Sequence, residues 1–385
     1  MCYNGKKKQV EQGMQEFIKS LEIIEDKRQA SKVRHKIQDV VFIVLMATLA
    51  NADTWEEIWI FAKEHEEFLK EYIELPNGIP SHDTIQRVMG MIDPKCLEQI
   101  QNKWHNLCET EEMQKIQKVI SIDGKTMRGN AGKGKKGNHI ITAWCEDYGY
   151  SFGETKVYEK TNEIKAIPDL LDVIKAKGNI ITIDAMGTQT KIAEKIIKKQ
   201  ANYVLAVKEN QERLYQEISE YLDDKEYLED IKKSGSYKRT VEKSHGQIEI
   251  REYYQTSKID WMQEKYRWEG LKTIGCIVKT IIKENQTITE TRYYISSLKK
   301  DIELFSKAIR KHWSVEIMHW HLDVTFKEDA NKTLDKDVAQ NMNIIRKWAL
   351  SILKTVDFGK KQSLKLKRYV ILNNPEKYLR LILEM

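Results

Sequence analysis

Residues 179–184, Asn-Ile-Ile-Thr-Ile-Asp, are the stretch that decides the fold. Their run of apolar and β-branched residues is typical of a strand buried on both faces of a sheet. A helix pattern precedes them, from a capping Asn162 to Ile174, and an amphipathic helix follows at residues 188–200. A further apolar strand comes at residues 202–208. Strands that alternate with helices in this way predict a parallel sheet flanked by helices.

Three strand candidates precede this unit, at residues 118–123, 139–145 and 154–158. The predicted order is therefore β-β-β-α-β-α-β, which is the order of an RNase H-like domain. In such a sheet the first and fourth strands are neighbours, and ligands bind where the strand ends meet. Asp123 ends the first strand and Asp184 ends the fourth. We expect their carboxylates to lie close together at one edge of the sheet.

The rest of the chain divides by its residue pattern. Residues 9–110 have helical periodicity, residues 236–297 contain alternating strands, and residues 304–326 form one long helix pattern. We predict an α/β RNase H-like catalytic domain with a β-rich insertion, preceded by an all-helical N-terminal domain. The predicted boundaries are 1–112 for the helical domain, 113–358 for the catalytic domain, about 218–300 for the insertion within it, and 359–385 for a basic C-terminal tail.

The composition limits the class of protein. The chain has 385 residues, of which 41% are hydrophobic, so it can bury the cores of two domains. Its five cysteines are scattered without a C-x-x-C pair, which argues against a disulfide framework or a thiolate zinc site. The longest apolar run, residues 40–50, is too short to span a bilayer, which needs about 20 residues. The first residues lack the apolar core of a signal peptide. We therefore expect a cytoplasmic protein with no membrane segment.

Basic residues are concentrated in a few stretches of a chain whose net charge is only +6. Residues 124–145 carry five basic and no acidic residues, and residues 359–385 carry seven basic and two acidic residues. Such stretches fit a protein that binds a polyanion, although ordinary solvated lysines would give the same counts. We predict double-stranded DNA as the partner, with phosphate contacts by Lys125 and Arg128. Lys208, which ends a strand, is either a further phosphate contact or a surface lysine.

Cleavage of a phosphodiester with Mg²⁺ requires hard oxygen ligands, and three carboxylates are enough to hold two ions. Asp123 and Asp184 supply two of them, and we expect the third on the long helix. The polar stripe of that helix consists of His312, Glu316, His319 and Asp323. Glu316 lies between two tryptophans, where packing would fix its position, so it is the preferred third ligand. The alternative is an ordinary core helix with a solvated flank.

Several short motifs are distributed along the chain. They are RHK at 34–36, NADTW at 51–55, LPNGIPSHDT at 75–84, IDGKTMRG at 122–129, KTNEI at 160–164, IDAMGTQ at 183–189, YVLAVKENQ at 203–211, HWSVE at 312–316, HWHLDV at 319–324 and FKED at 326–329. Together they resemble insertion-sequence transposases of the group that includes the H-repeat-associated proteins. The resemblance covers nearly the whole chain.

This resemblance implies an Asp-Asp-Glu transposase whose catalytic and metal-binding acids are Asp123, Asp184 and Glu316. It implies two Mg²⁺ ions, with Mn²⁺ as a substitute, and cleavage at element ends followed by joining to target DNA. The implied partners are double-stranded DNA, as terminal inverted repeats and target, and a second copy of the chain in a homodimer on DNA. The helical N-terminal domain would recognise the DNA ends.

The chain also departs from the family pattern. Many members have Asn after the catalytic Glu, where this chain has Ile317. Related transposases have a Tyr-x-x-Arg-x-x-x-Glu-x-x-x-x-x-x-Lys signature, and here Ile309, His312, Glu316 and Asp323 occupy those positions. His312 can still contact a phosphate, but Asp323 cannot hold a DNA end as a cation. Two alternatives stay open: an RNase H-like nuclease without strand transfer, and an inactive DNA-binding relic of a transposase.

Overall fold

The computed structural model describes residues 19–109, 115–132, 136–157, 163–244, 246–284 and 286–383. The beginning of the predicted N-terminal domain and the predicted cap Asn162 lie outside these ranges. No helix in the described ranges is both long and apolar enough to cross a membrane.

The elements follow the order that the sequence predicts for the catalytic part. The α-helices of the described residues include, in chain order, α1 (Ile37–Leu49), α2 (Trp55–Glu64), α3 (Glu66–Lys70), α4 (His82–Met89), α5 (Pro94–Cys108), α6 (Glu163–Val173), α7 (Thr190–Lys198), α8 (Glu212–Leu222), α9 (Lys225–Lys233), α10 (Ile302–Trp320), α11 (Lys336–Thr355), α12 (Leu364–Asn373) and α13 (Pro375–Leu383). The strands are β1 (Val119–Thr126), β2 (His139–Cys145), β3 (Tyr150–Val157), β4 (Ile180–Ile183), β5 (Asn202–Val207), β6 (Tyr237–Ser244), β7 (Gln247–Thr256), β8 (Thr273–Lys283) and β9 (Gln286–Ser296).

The strands of the described residues form one nine-stranded sheet in the order β3-β2-β1-β4-β5-β9-β8-β7-β6. β1 pairs with β4 in parallel, and β4 pairs with β5 in parallel. The predicted adjacency of the first and fourth strands is therefore confirmed. Ile122 is the register partner of Ile183, so the residue after each of them occupies the same level of the sheet.

Each face of the sheet is covered by helices because apolar side chains alternate along the strands. On one face, Ile122 and Ile183 belong to the core that contains residues of α6, α7 and α8. On the other face, Val119 and Ile180 pack with Phe305 of α10. Ser121, Asp123 and Lys125 alternate with the first set of residues, and the strand therefore directs them to the α10 face.

The inserted segment is continuous with the catalytic sheet, because its last strand β9 pairs with β5. Its strands match the predicted β-rich pattern, but the segment begins with the two helices α8 and α9. Ile218 of α8 and Ile231 of α9 are buried in one core with Tyr254 and Cys276 of the inserted strands. These helices cover the face opposite α10, which leaves the α10 side of the inserted strands to line the candidate site.

The N-terminal helices share one core with the end of the chain. Phe42 of α1, Trp348 of α11 and Leu379 of α13 belong to the same buried cluster. Arg368 of α12 has no exposed side-chain surface and donates hydrogen bonds to the Thr48 carbonyl and, at 2.7 Å, to an Asp53 carboxylate oxygen. Residues 364–383 are thus packed helices, which differs from the predicted basic tail. Their apolar residues are buried, and the charge of Arg368 is neutralised inside the protein.

Candidate active site

Asp123 and Asp184 lie next to each other on parallel strands. Each follows a register-paired isoleucine, and neighbouring strands are about 4.8 Å apart. The backbone after β4 then turns at once, since Asp184 Oδ1 accepts a hydrogen bond of 3.0 Å from the Gly187 N–H. The two predicted acids are therefore brought to one edge of the sheet, as the strand order required.

Helix α10 packs across this edge and contacts successive residues on one face of β1. The Ser121 hydroxyl donates to the Lys311 carbonyl oxygen at 3.1 Å. Further along, His319 Nδ1 lies 3.5 Å from Asp123 Oδ2. Contacts therefore progress along the helix as they progress along the strand. Glu316 lies between Lys311 and His319 along α10, and its charge influences Asp123.

The charges at this edge influence one another. Burial is the largest cause that raises the pKa of Asp123, which reaches about 7. The carboxylates of Asp184, Glu163 and Glu316 raise it further by repulsion, and the Gly124 N–H opposes the shift by hydrogen bonding. A half-buried carboxyl group with three acidic neighbours is the electrostatic setting that a divalent cation relieves.

The acids do not form a closed metal cage. Among the described residues, no three His, Cys, Asp or Glu side chains are arranged closely enough to hold a metal ion by themselves. Glu316 is exposed on α10, and one oxygen of Asp184 is occupied by the Gly187 N–H. An open set of carboxylate oxygens suits Mg²⁺, which retains waters and takes substrate phosphates as further ligands. The donor set therefore fits Mg²⁺ or Mn²⁺ better than zinc.

Glu163 is a further acid near Asp123 that the sequence reasoning did not select, and it lies on the α6 face of the sheet, opposite the α10 face to which Asp123 is directed. It begins α6 and is buried, where its carboxylate forms a hydrogen bond with His139 Nε2. The other ring nitrogen of His139 lies 2.8 Å from the Thr126 hydroxyl. A Cβ at Gly124 would come within 2.6 Å of both Glu163 Oε1 and His139 Nε2, so only glycine fits there. The signal was the KTNEI motif, whose acid follows the third strand.

Lys125 has a different environment from the predicted DNA contact. Its side chain is 10% exposed, and its ammonium lies 2.8 Å from Asp323 Oδ1, 3.1 Å from Glu328 Oε2 and 3.4 Å from Asp329 Oδ1. Burial alone would lower the pKa of Lys125, but Glu328 and the two aspartates raise it above its ordinary value. Lys125 is therefore the cation of a buried ion cluster, and the acids beyond Glu316 are the partners of that cation.

His312 is half-buried and packs against the sheet. Its Nδ1 is 3.0 Å from the Thr182 hydroxyl, which in turn donates to the Ser121 hydroxyl at 3.1 Å. Burial, assisted by the charge of Arg292, lowers the pKa of His312 to about 4. The imidazole is thus neutral at pH 7 and connects α10 to β4. This position differs from the predicted phosphate contact.

Arg128 and Lys208 are exposed, as a DNA contact requires. Near Glu316 the structure shows two further cations that the sequence reasoning missed. Arg292 and Lys279 lie over the ring of Trp313, at 4.7 and 5.1 Å from its centroid. Burial alone would lower the pKa of Arg292, but acidic neighbours, Glu316 included, raise it. The inserted strands therefore bring positive charge to the edge of the site, a proximity that no local sequence pattern reveals.

Two family models match the chain. The model described as "DDE_Tnp_1-associated" matches residues 18–105, and the model described as "Transposase DDE domain" matches residues 114–352. The chain belongs to the DDE transposase family. The resemblance that the sequence motifs indicated is confirmed, and the transposase is α/β in its catalytic part.

Individual relatives cover most of the transposase. It is 37% identical over 356 residues to "Putative transposase YncI" of Escherichia coli O157:H7, which covers 89% of this chain and 88% of that protein. It is 38% identical over 348 residues to "H repeat-associated putative transposase YhhI" of Escherichia coli K12, which covers 88% of this chain and 90% of that protein. A solved structure, the cryo-EM piggyBac transposase synaptic complex with hairpin DNA, aligns with a TM-score of 0.37 and 13% identity over 92% of this chain and 76% of that chain.

Proposed function

We propose that this transposase cuts DNA at the ends of its element and joins those ends to target DNA by metal-dependent phosphoryl transfer. The observation that carries the proposal is that Asp123 on β1 and Asp184 directly after β4 each follow one of two register-paired isoleucines, at an edge that α10, the helix of Glu316, crosses. The strand order of the catalytic part supports an RNase H-like arrangement, in which this edge of the sheet is the catalytic one.

The proposed ligands are Asp123, Asp184 and Glu316. Asp123 would contact both ions, while Asp184 and Glu316 would each contact one. Two bound Mg²⁺ ions, or Mn²⁺ in their place, would activate the attacking oxygen and stabilise the leaving oxygen of the phosphodiester. The protein contributes rigid placement, because Asp123 and Asp184 are fixed by paired strands and Glu316 by a helix packed on those strands.

The DNA would run along the cations beside this edge, of which Arg128 and Lys208 are exposed and Arg292 is half-buried. Arg128 and Lys208 lie at the ends of strand segments, and Arg292 approaches Glu316 from the inserted strands. These groups would neutralise phosphates on either side of the scissile one, which gives affinity without sequence preference. The proposed partners are therefore the terminal inverted repeats and the target duplex, bound by a homodimer, with the N-terminal helices reading the repeats.

A cleavage and joining assay tests the proposal. The purified full chain is incubated with labelled DNA that carries the repeats flanking its own gene, with Mg²⁺, Mn²⁺ or EDTA. We expect nicks at the repeat ends and joined products with either ion and none with EDTA. A pre-cleaved end that is never joined to target DNA would favour the nuclease alternative. Absence of both reactions would favour the relic, a fate for which the "Inactive transposase YbfQ" of Escherichia coli K12, matching 20% of this chain, is a precedent.

A further inference from the structure

His319 is a histidine of α10 that the proposed chemistry does not use. Its Nδ1 lies 3.5 Å from Asp123 Oδ2, and its side chain is only 13% exposed. The other ring nitrogen, Nε2, is buried and has no hydrogen-bond partner among the described residues. A buried imidazole with one unsatisfied nitrogen costs free energy, so its presence at this place calls for a function.

The ring of His319 is neutral and has charged groups as neighbours. Burial lowers its pKa to about 3, and the nearby charges of Lys125 and Lys347 contribute to the shift. Both lysines are engaged by acids, Lys125 by the Asp323 cluster and Lys347 by a carboxylate of Glu154. The ring therefore lies in a packed polar layer between the sheet and the helices, and Asp123 is its acidic contact.

Three polar contacts connect α10 and the turn that follows it to the face of β1, and they bracket Glu316. Before Glu316, the Lys311 carbonyl oxygen accepts a hydrogen bond from the Ser121 hydroxyl. After Glu316, His319 contacts Asp123, and Asp323 forms an ion pair with Lys125. His319 is the contact that reaches a proposed metal ligand directly. Partners of metal ligands orient them and raise their affinity for the ion.

We propose that His319 is a positioning residue for Asp123. It would hold Oδ2 of that carboxylate and thereby set the distance between Asp123 and Glu316. This inference rests on the proposed metal-dependent function. The present 3.5 Å separation is long for a hydrogen bond, and such contacts commonly tighten when the reacting complex forms. His319 would act through Asp123 and would not touch the DNA.

Binding of Mn²⁺ to the full chain tests the role without any activity. Free Mn²⁺ is measured by electron paramagnetic resonance for wild type, His319→Leu, His319→Asn and His321→Leu. His321 is the matched control, because it lies two residues after His319 and contacts the Thr325 hydroxyl instead of Asp123. We expect His319→Leu to weaken Mn²⁺ binding by about 10- to 100-fold, the range typical of lost ligand partners. His319→Asn keeps a donor and should recover part of the affinity, and His321→Leu should bind as wild type does.

Cleavage at varied Mg²⁺ and thermal unfolding complete the design. His319→Leu should need more Mg²⁺ for half-maximal cleavage, while its melting temperature stays near that of His321→Leu. Should His319→Leu fail to fold, His319→Asn supplies the comparison. Wild-type Mn²⁺ affinity in a folded His319→Leu would overturn the inference and leave the proposed function intact. A wild-type chain that binds no Mn²⁺ would instead contradict the proposed function.

Discussion

Replacing Lys125 by Met separates its structural role from the role in DNA binding that its sequence context indicated. The ammonium contacts Asp323, Glu328 and Asp329 within 2.8–3.4 Å, and the Glu328 side chain is only 1% exposed. Removing one partner of a buried ion pair costs about 3–5 kcal/mol, because the remaining charge is left uncompensated. Asn343 still donates to Glu328 at 2.8 Å and Arg346 lies 3.5 Å away. We therefore expect the lower end of that range, about 3 kcal/mol.

The assay is urea unfolding together with DNA affinity at several salt concentrations. Lys208→Met is the control, because Lys208 is exposed beside the site. Lys125→Met should lower the urea midpoint and leave the salt slope of DNA binding unchanged. Lys208→Met should keep the free energy of unfolding within about 0.5 kcal/mol of wild type. It should reduce the salt slope of DNA binding by about one unit. The reverse pattern, with a stable Lys125→Met that loses one unit of slope, would refute the assignment of Lys125 to the ion cluster.

Four further outcomes are expected. Glu316→Gln should abolish cleavage and joining with Mg²⁺ while DNA binding and the melting temperature are kept, whereas Asp329→Asn should retain measurable cleavage; essential Asp329 would mean that the third ligand is misplaced. Gly124→Ala should lower the free energy of unfolding by about 1–3 kcal/mol in urea titrations, because its Cβ would collide with a buried histidine–glutamate pair. Burial lowers the pKa of His105 to about 3, so its contribution to stability is complete above pH 6.5 and is lost as the pH falls towards 3; between pH 7.5 and 5 the wild type should lose about 2 kcal/mol that a folded His105→Phe variant keeps. Arg292→Gln should weaken DNA binding and reduce its salt slope by about one unit in filter-binding titrations, and an unchanged slope would exclude a phosphate contact.

The position of Asp123 and Asp184 could be predicted because it depends on local patterns. Buried strands that alternate with helices impose the parallel pairing, and the strand ends then come together whatever the rest of the chain does. Glu316 was selected from helical spacing, from its place between two tryptophans and from the family resemblance, and α10 does cross the same edge. These inferences needed only the period of a strand and of a helix.

Other expectations failed because they depended on distant residues. Lys125 looked available in a basic stretch, but Glu328 and Asp329 reach it from the turn after α10, about 200 residues later in the chain. His312 belongs to the predicted polar stripe, yet at the start of that stripe its ring lies against the Thr182 hydroxyl and is half-buried. The charge count of residues 359–385 could not show that Arg368 faces inward to Asp53. A cluster of basic residues in the sequence indicates a DNA-binding surface only when the fold leaves those residues exposed.

The packing of α1 against α11 to α13 affects how the chain folds during its synthesis. Thr48 and Arg368 are 320 residues apart in sequence and are hydrogen-bonded in the folded protein. A ribosome delivers α1 and α5 first, but the core they share with α11 to α13 closes only after residues 336–383 have been synthesised. During that interval the apolar faces of α1 and α5 lack their partners. Folding of the part expected to read DNA ends therefore depends on a segment made about 300 residues later.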